Sequence, residues 1–189
     1  MQRLMVLVGL VLLAWLIEVV DFIVPGRWLD SHGIVPRTLF GLEGILFAPF
    51  LHAGFAHLAA NTVPFLTLGF LVILRGLATF VGVTLSVMLL GGLGVWVFGP
   101  GNTVTIGASG VIFGYIGYLL GRGYFERRLD AILIALVVAV VYGGALWGVL
   151  PGDPRISWQG HLFSFLAGVA TAWMLQGSRA SARAVPSRL

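Results

Sequence analysis

Two residues define the chemistry available to this sequence: Ser109, in the run Gly107-Ala108-Ser109-Gly110, and His161, in Gly160-His161. A serine hydroxyl beside an imidazole is the smallest activated nucleophile, because the ring takes the hydroxyl proton as the oxygen attacks a carbonyl. Acyl transfer also needs donors for the developing oxyanion. His57 and Asn61 are four residues apart, share one helical face and offer side-chain N–H groups. The backbone N–H of Ser109 adds a third donor. No acidic residue stands where it could orient the base, so the chain offers a Ser-His dyad where a triad would have a third member. Packing must hold the ring, and Phe113, one turn from Ser109, supplies a surface for it.

The remaining polar residues point to no other chemistry. His32 and His52 have no partners at metal-ligand spacing and are expected to be interfacial, so the sequence implies no metal site and no organic cofactor. Cysteine is absent, which excludes thiolate nucleophiles, disulfides and Cys-based metal sites. The net charge of +4 is the balance of seven acidic residues against eleven arginines scattered between apolar stretches. They form no basic face on which a nucleic acid could dock.

These polar groups must be positioned by helices that cross a membrane. Of 189 residues, 59% are hydrophobic and only 10% charged, too few charges to clothe a soluble surface. A crossing needs about 20 mostly apolar residues. Six segments approach that length: roughly 4–24, 54–74, 77–98, 105–122, 130–150 and 158–176. The first runs into Glu18 and Asp21 with no cleavage site, so it is expected to be a retained span whose outer end those carboxylates mark. Residues 25–53, with Pro25, Asp30, Pro36, Glu43 and Pro49 among aromatics, suggest a structured external loop in the interface. Residues 1–177 make one all-α membrane domain, a six-helix bundle, and residues 178–189 a short disordered cytoplasmic tail. Loop 151–157, with Pro151, Gly152 and Pro154, has the composition of a lid.

Arginine bias orients the bundle. With a cytoplasmic N-terminus, the inner segments hold Arg3, Arg75, Arg122, Arg127, Arg128, Arg179, Arg183 and Arg188, against Arg27, Arg37 and Arg155 outside. Both termini are therefore expected to be cytoplasmic. Spans two, four and six then all descend from the outer face, each with its polar residues near its start. At 1.5 Å rise per residue, His57, Asn61, Ser109 and His161 lie on the order of 5–12 Å below that face. They share one level.

Small residues predict which helices touch. Gly110, Gly114, Gly117 and Gly121 line one face of span four, and Ser164, Gly168 and Ala172 lie on the same face of span six as His161. Such faces allow backbones to approach closely in a membrane. Packing span four against span six would bring the Ser109 hydroxyl to the imidazole.

Taken together, these pieces resemble the rhomboid intramembrane serine proteases. The resemblance rests on His57-Leu58-Ala59-Ala60-Asn61, Gly107-Ala108-Ser109-Gly110, and Gly160-His161 with Gly168, which occur in the family's order across nearly the whole chain. It implies that Ser109 and His161 form the dyad, with His57, Asn61 and the Ser109 amide at the oxyanion. It also implies an aromatic beneath the histidine (Phe113) and supporting small residues at Gly107, Gly110, Gly117, Ser164 and Gly168. The implied substrates are transmembrane proteins, cut near the outer membrane face. Two features depart from the family: Ser164 stands where glycine is common, and the first loop lacks a Trp-Arg pair, with Glu43-Gly44 near its place.

The resulting expectation is an intramembrane serine endopeptidase of a prokaryotic plasma membrane, with the lipid bilayer and membrane-protein substrates as partners. Its rivals are an inactive rhomboid-like factor that binds membrane segments, and a small transporter. The sequence shows neither the inverted repeat nor the intramembrane charge pair of a transporter.

Overall fold

A computed structural model describes residues 2–24, 26, 28–153 and 156–184, with side chains described as far as residue 176. The described chain is almost wholly helical, its one β-type contact being an isolated antiparallel bridge between Ile34 and Thr105. The α-helices in chain order are α1 (Gln2–Ile23), a four-residue α2 (Gly44–Phe47), α3 (Phe55–Ile73), α4 (Leu77–Phe98), α5 (Ser109–Glu126), α6 (Leu129–Tyr142) and α7 (Trp158–Ala184). A 3-10 segment, Gly143–Val149, continues α6.

Among the described residues, four helices are long and apolar enough to cross a membrane: α1, α3, α4 and α6 with its 3-10 continuation. The other two long helices, α5 and α7, are less hydrophobic because they carry glycines and polar residues.

 The glycines, Ser109, Arg122, His161 and Ser164 dilute their apolar character, and α5 hides that polarity inside the bundle. Twelve of its eighteen residues are buried, against two, Ala131 and Val138, in α6. Helix α5 is the central post, and α6 presents its apolar side chains outward.

The largest helix–helix interface joins α5 to α7. A methyl group added at Gly117 would meet the Phe165 carbonyl oxygen at 2.1 Å, and one at Gly168 the Gly114 carbonyl oxygen at 2.0 Å. The two backbones are therefore in direct contact. In lipid, where apolar burial gives helices little reason to associate, this close van der Waals approach is what holds them. The register continues on either side, with Gly110 facing Ser164 and Gly121 facing Ala172. Gly114 turns its own Cα toward Val87 of α4 and contributes only its carbonyl to the α7 contact.

Several expected boundaries move. Span four was expected from residue 105, but α5 starts at Ser109, because Thr105 pairs in extended form with Ile34 and Gly107 adopts φ +112°, outside the helical region. The α-helix of span five ends at Tyr142 and tightens into the 3-10 segment. Helix α7 continues to Ala184, past the expected start of a disordered tail at residue 178, consistent with the high helix propensity of the alanines and arginines there. Residues 185–189, and Pro25, Arg27, Pro154 and Arg155, lie outside the described residues.

The first loop is structured by short helical turns at Leu29–His32, Phe40–Leu42, Gly44–Phe47 and Ala48–Phe50. Glu18 and Asp21 do not simply mark the outer end of α1. Both are buried, and Asp21 Oδ1 accepts the Leu29 N–H at 2.9 Å, tying the loop to the helix. At the other end of α5, buried Arg122 pairs with Glu126 (3.1 Å) and Asp130 (2.8 Å), and Arg75 reaches Glu126 (3.3 Å).

Candidate active site

Ser109 is the first residue of α5 and His161 the fourth of α7, so both stand at helix N-termini. Ser157 caps α7, its Oγ accepting the Gly160 N–H at 3.2 Å. The close α5–α7 contact then leaves the Ser109 hydroxyl 3.0 Å from His161 Nε2. Phe113 stacks on the imidazole with ring centroids 3.9 Å apart and planes 5° from parallel. The far edge of the ring is met by a backbone group, with His161 Nδ1 3.0 Å from the Gly148 carbonyl oxygen.

His57 and Asn61 lie across the cavity on α3. His57 Nδ1 accepts the Ala53 N–H at 3.3 Å, which places the ring proton on Nε2. That nitrogen faces Gly107, where an added methyl group would sit 2.8 Å away. Asn61 spends one N–H on the His57 carbonyl (3.1 Å) and keeps the other. The Ser109 N–H is at the first helical position, where no intrahelical acceptor exists. These groups line one cavity of about 220 Å³, together with Gly110, His161 and Ser164. Ser109, His57 and His161 are half-buried, and Asn61 is buried. Ser164 fills the gap left by Gly91 and Gly110, so the serine in place of glycine is accommodated by small neighbours on two other helices. Ile156, from the loop read as a lid, also lines the cavity.

The expectation for His52 requires correction. His52 is buried, at 1% exposure, and its Nε2 accepts the Ala108 N–H at 3.3 Å. Its ring stands edge-on to His57 at 5.1 Å, and Nδ1 lies 3.4 Å from the Phe50 carbonyl. His52 thus staples the segment that delivers Ser109. Its spacing, five residues before His57, is no helical repeat, so the sequence pattern offered no reason to join the two. His32 instead pairs with Glu43 at 2.6 Å between Trp28 and Phe40, which gives Glu43 a role in bracing the first loop.

Burial, and next to it the proximity of His57, push His52 down from the ordinary 6.5 to about 4. Between those values the unfolded chain binds a proton that the folded one does not, so stability must fall as pH drops through that window. The expected loss is at most about 3 kcal/mol. Thermal unfolding in detergent should show this slope for the wild type and a shallower one for His52→Asn. Equal slopes would remove the assignment of a neutral, accepting His52.

The fold and the site define an all-helical membrane protein with a serine and a histidine meeting at a mostly apolar cavity. Comparison with known proteins gives the family. The Rhomboid domain matches residues 40–178, and the chain belongs to the rhomboid family. Similar proteins include "Uncharacterized protein Rv1337" of Mycobacterium tuberculosis, 46% identical over 93% of this chain and 76% of the relative. "Uncharacterized protein ML1171" of Mycobacterium leprae is 42% identical over 92% and 71%. "Putative rhomboid protease YdcA" of Bacillus subtilis is 30% identical over 66% of this chain and 62% of its own.

Proposed function

We propose that this protein is an intramembrane serine endopeptidase that cuts transmembrane segments of other membrane proteins near the outer face of a plasma membrane. The observation that carries the reading is the 3.0 Å separation of Ser109 Oγ and His161 Nε2 in a half-buried cavity. His161 takes the hydroxyl proton as Ser109 attacks the scissile carbonyl, then returns a proton to the leaving amine. The acyl-enzyme is hydrolysed by water activated in the same way. His57 Nε2–H, the remaining Asn61 N–H and the Ser109 N–H receive the oxyanion.

In this reading six helices cross the bilayer, α5 and α7 included, with both termini cytoplasmic. The backbone before Ser109 is non-helical at membrane depth, which is tolerable where it lines a cavity inside the protein. A substrate helix must unwind locally to expose its carbonyl, so small or helix-breaking residues are expected around the cut.

Labelling of the purified protein with a fluorophosphonate tests the reading. The wild type should be labelled, and Ser109→Ala and His161→Ala should not. Equal labelling of all three would remove it. Loss of one oxyanion donor is expected to lower turnover by about 10²–10³-fold, so His57→Ala and Asn61→Ala should each retain the fold and slow substrate cleavage by that factor. Unchanged cleavage in either variant would take that residue out of the oxyanion site.

A further inference from the structure

We infer that the backbone carbonyl of Gly148 takes the place of the missing acid, making Gly148 a positioning residue for His161. The inference rests on the protease reading and deepens it. A carbonyl oxygen only accepts, so at 3.0 Å it requires a proton on Nδ1 of His161. A neutral ring with its proton on Nδ1 has a bare Nε2, the form that accepts from the Ser109 hydroxyl 3.0 Å away. The same tautomer is what a triad carboxylate enforces. Phe113 covers the face of the ring and cannot choose between its two nitrogens. The Gly148 carbonyl can.

The residue type at position 148 follows from this contact. A methyl group there would lie 3.1 Å from His161 Nδ1 and 3.2 Å from Phe113 Cζ. Only glycine lets the 3-10 segment approach the ring edge without moving one of them. Gly144, in the same segment, has open space at the equivalent point. The segment itself is lightly held, with Trp147 75% exposed, and among the described elements its main neighbours are α6 and α7.

The test compares full-length wild type, Gly148→Ala and Gly144→Ala in detergent. Two readouts are taken: the fluorophosphonate labelling rate, and the ¹⁵N spectrum of labelled histidine, with His161 assigned by its absence in His161→Ala. The wild type should show a pyrrole-type Nδ1 and a pyridine-type Nε2 at His161. Gly148→Ala should lose that single-tautomer signature and label about tenfold more slowly, the loss of roughly one hydrogen bond. Gly144→Ala should match the wild type in both.

A second variant guards against simple accommodation of the methyl group. Replacing the Gly148–Val149 peptide bond by an ester weakens the carbonyl as an acceptor without adding an atom near the ring. The control ester between Val149 and Leu150 removes the Leu150 N–H, which donates to Trp147 O, and leaves the Gly148 carbonyl intact. Only the first ester should change the tautomer signature and the rate. A wild-type His161 with its proton on Nε2, or no difference between the two esters, would overturn the inference. A wild type that shows the expected tautomer but is not labelled would instead defeat the protease reading and leave Gly148 as a positioning group.

Discussion

Ser109→Ala and His161→Ala are each expected to lower peptide-bond cleavage by roughly 10⁴–10⁶-fold, and the double variant to be no slower than either single one. The non-additivity is the sharper part of the expectation. In the proposed mechanism the hydroxyl and the ring act as one unit across their 3.0 Å contact, so removing the base leaves the nucleophile protonated and removing the nucleophile leaves the base idle. Neither substitution enlarges a side chain, and both groups are half-buried at a cavity, so the fold should survive. Cleavage of a single-span substrate in proteoliposomes, with unfolding temperatures measured in parallel, checks both points. Two losses that simply multiply in the double variant would mean that the residues act separately.

Gly117→Ala and Gly168→Ala are expected to lower activity by a different route. Each new methyl group would have to occupy space already held by a backbone carbonyl oxygen, 2.1 Å away in one case and 2.0 Å in the other. Neither oxygen belongs to a flexible side chain. The helices must part, at a cost typical of overpacking, about 1–3 kcal/mol. Because Ser109 and His161 are carried by those two helices, separation also lengthens the dyad contact. Thermal unfolding should fall and fluorophosphonate labelling should slow in both variants. Gly82→Ala, on α4 with open space around it, should do neither. Normal stability and labelling in Gly117→Ala would show that the interface is looser than the backbone contact requires.

Much of this arrangement was legible in the residues. The small faces of α5 and α7 were visible as spacings of three and four, and the structure pairs Gly110 with Ser164 and Gly121 with Ala172 along them. Phe113 was legible for the same reason, lying one turn from Ser109. Helix periodicity converts spacing into a face, and in a membrane a small face is a contact.

The beginnings of helices were less legible. Residues 105–108 are apolar or small enough to extend a span, yet they pair with Ile34, Ala48 and His52 instead. Each of those partners is at least 56 residues away in sequence, and no local pattern records them. The role of His52 was hidden in the same way, since its burial comes from the folded first loop.

The sequence by itself determined the candidate reactive side chains, the helices that carry them and the small faces along which two of those helices meet, because residue type and periodicity encode all three. Only the tertiary structure decided where α5 begins, which nitrogen of His161 meets a carbonyl, and that Gly148 provides it. A backbone carbonyl belongs to every residue alike, so its use is set by the path of the chain through space and leaves no mark in composition or spacing.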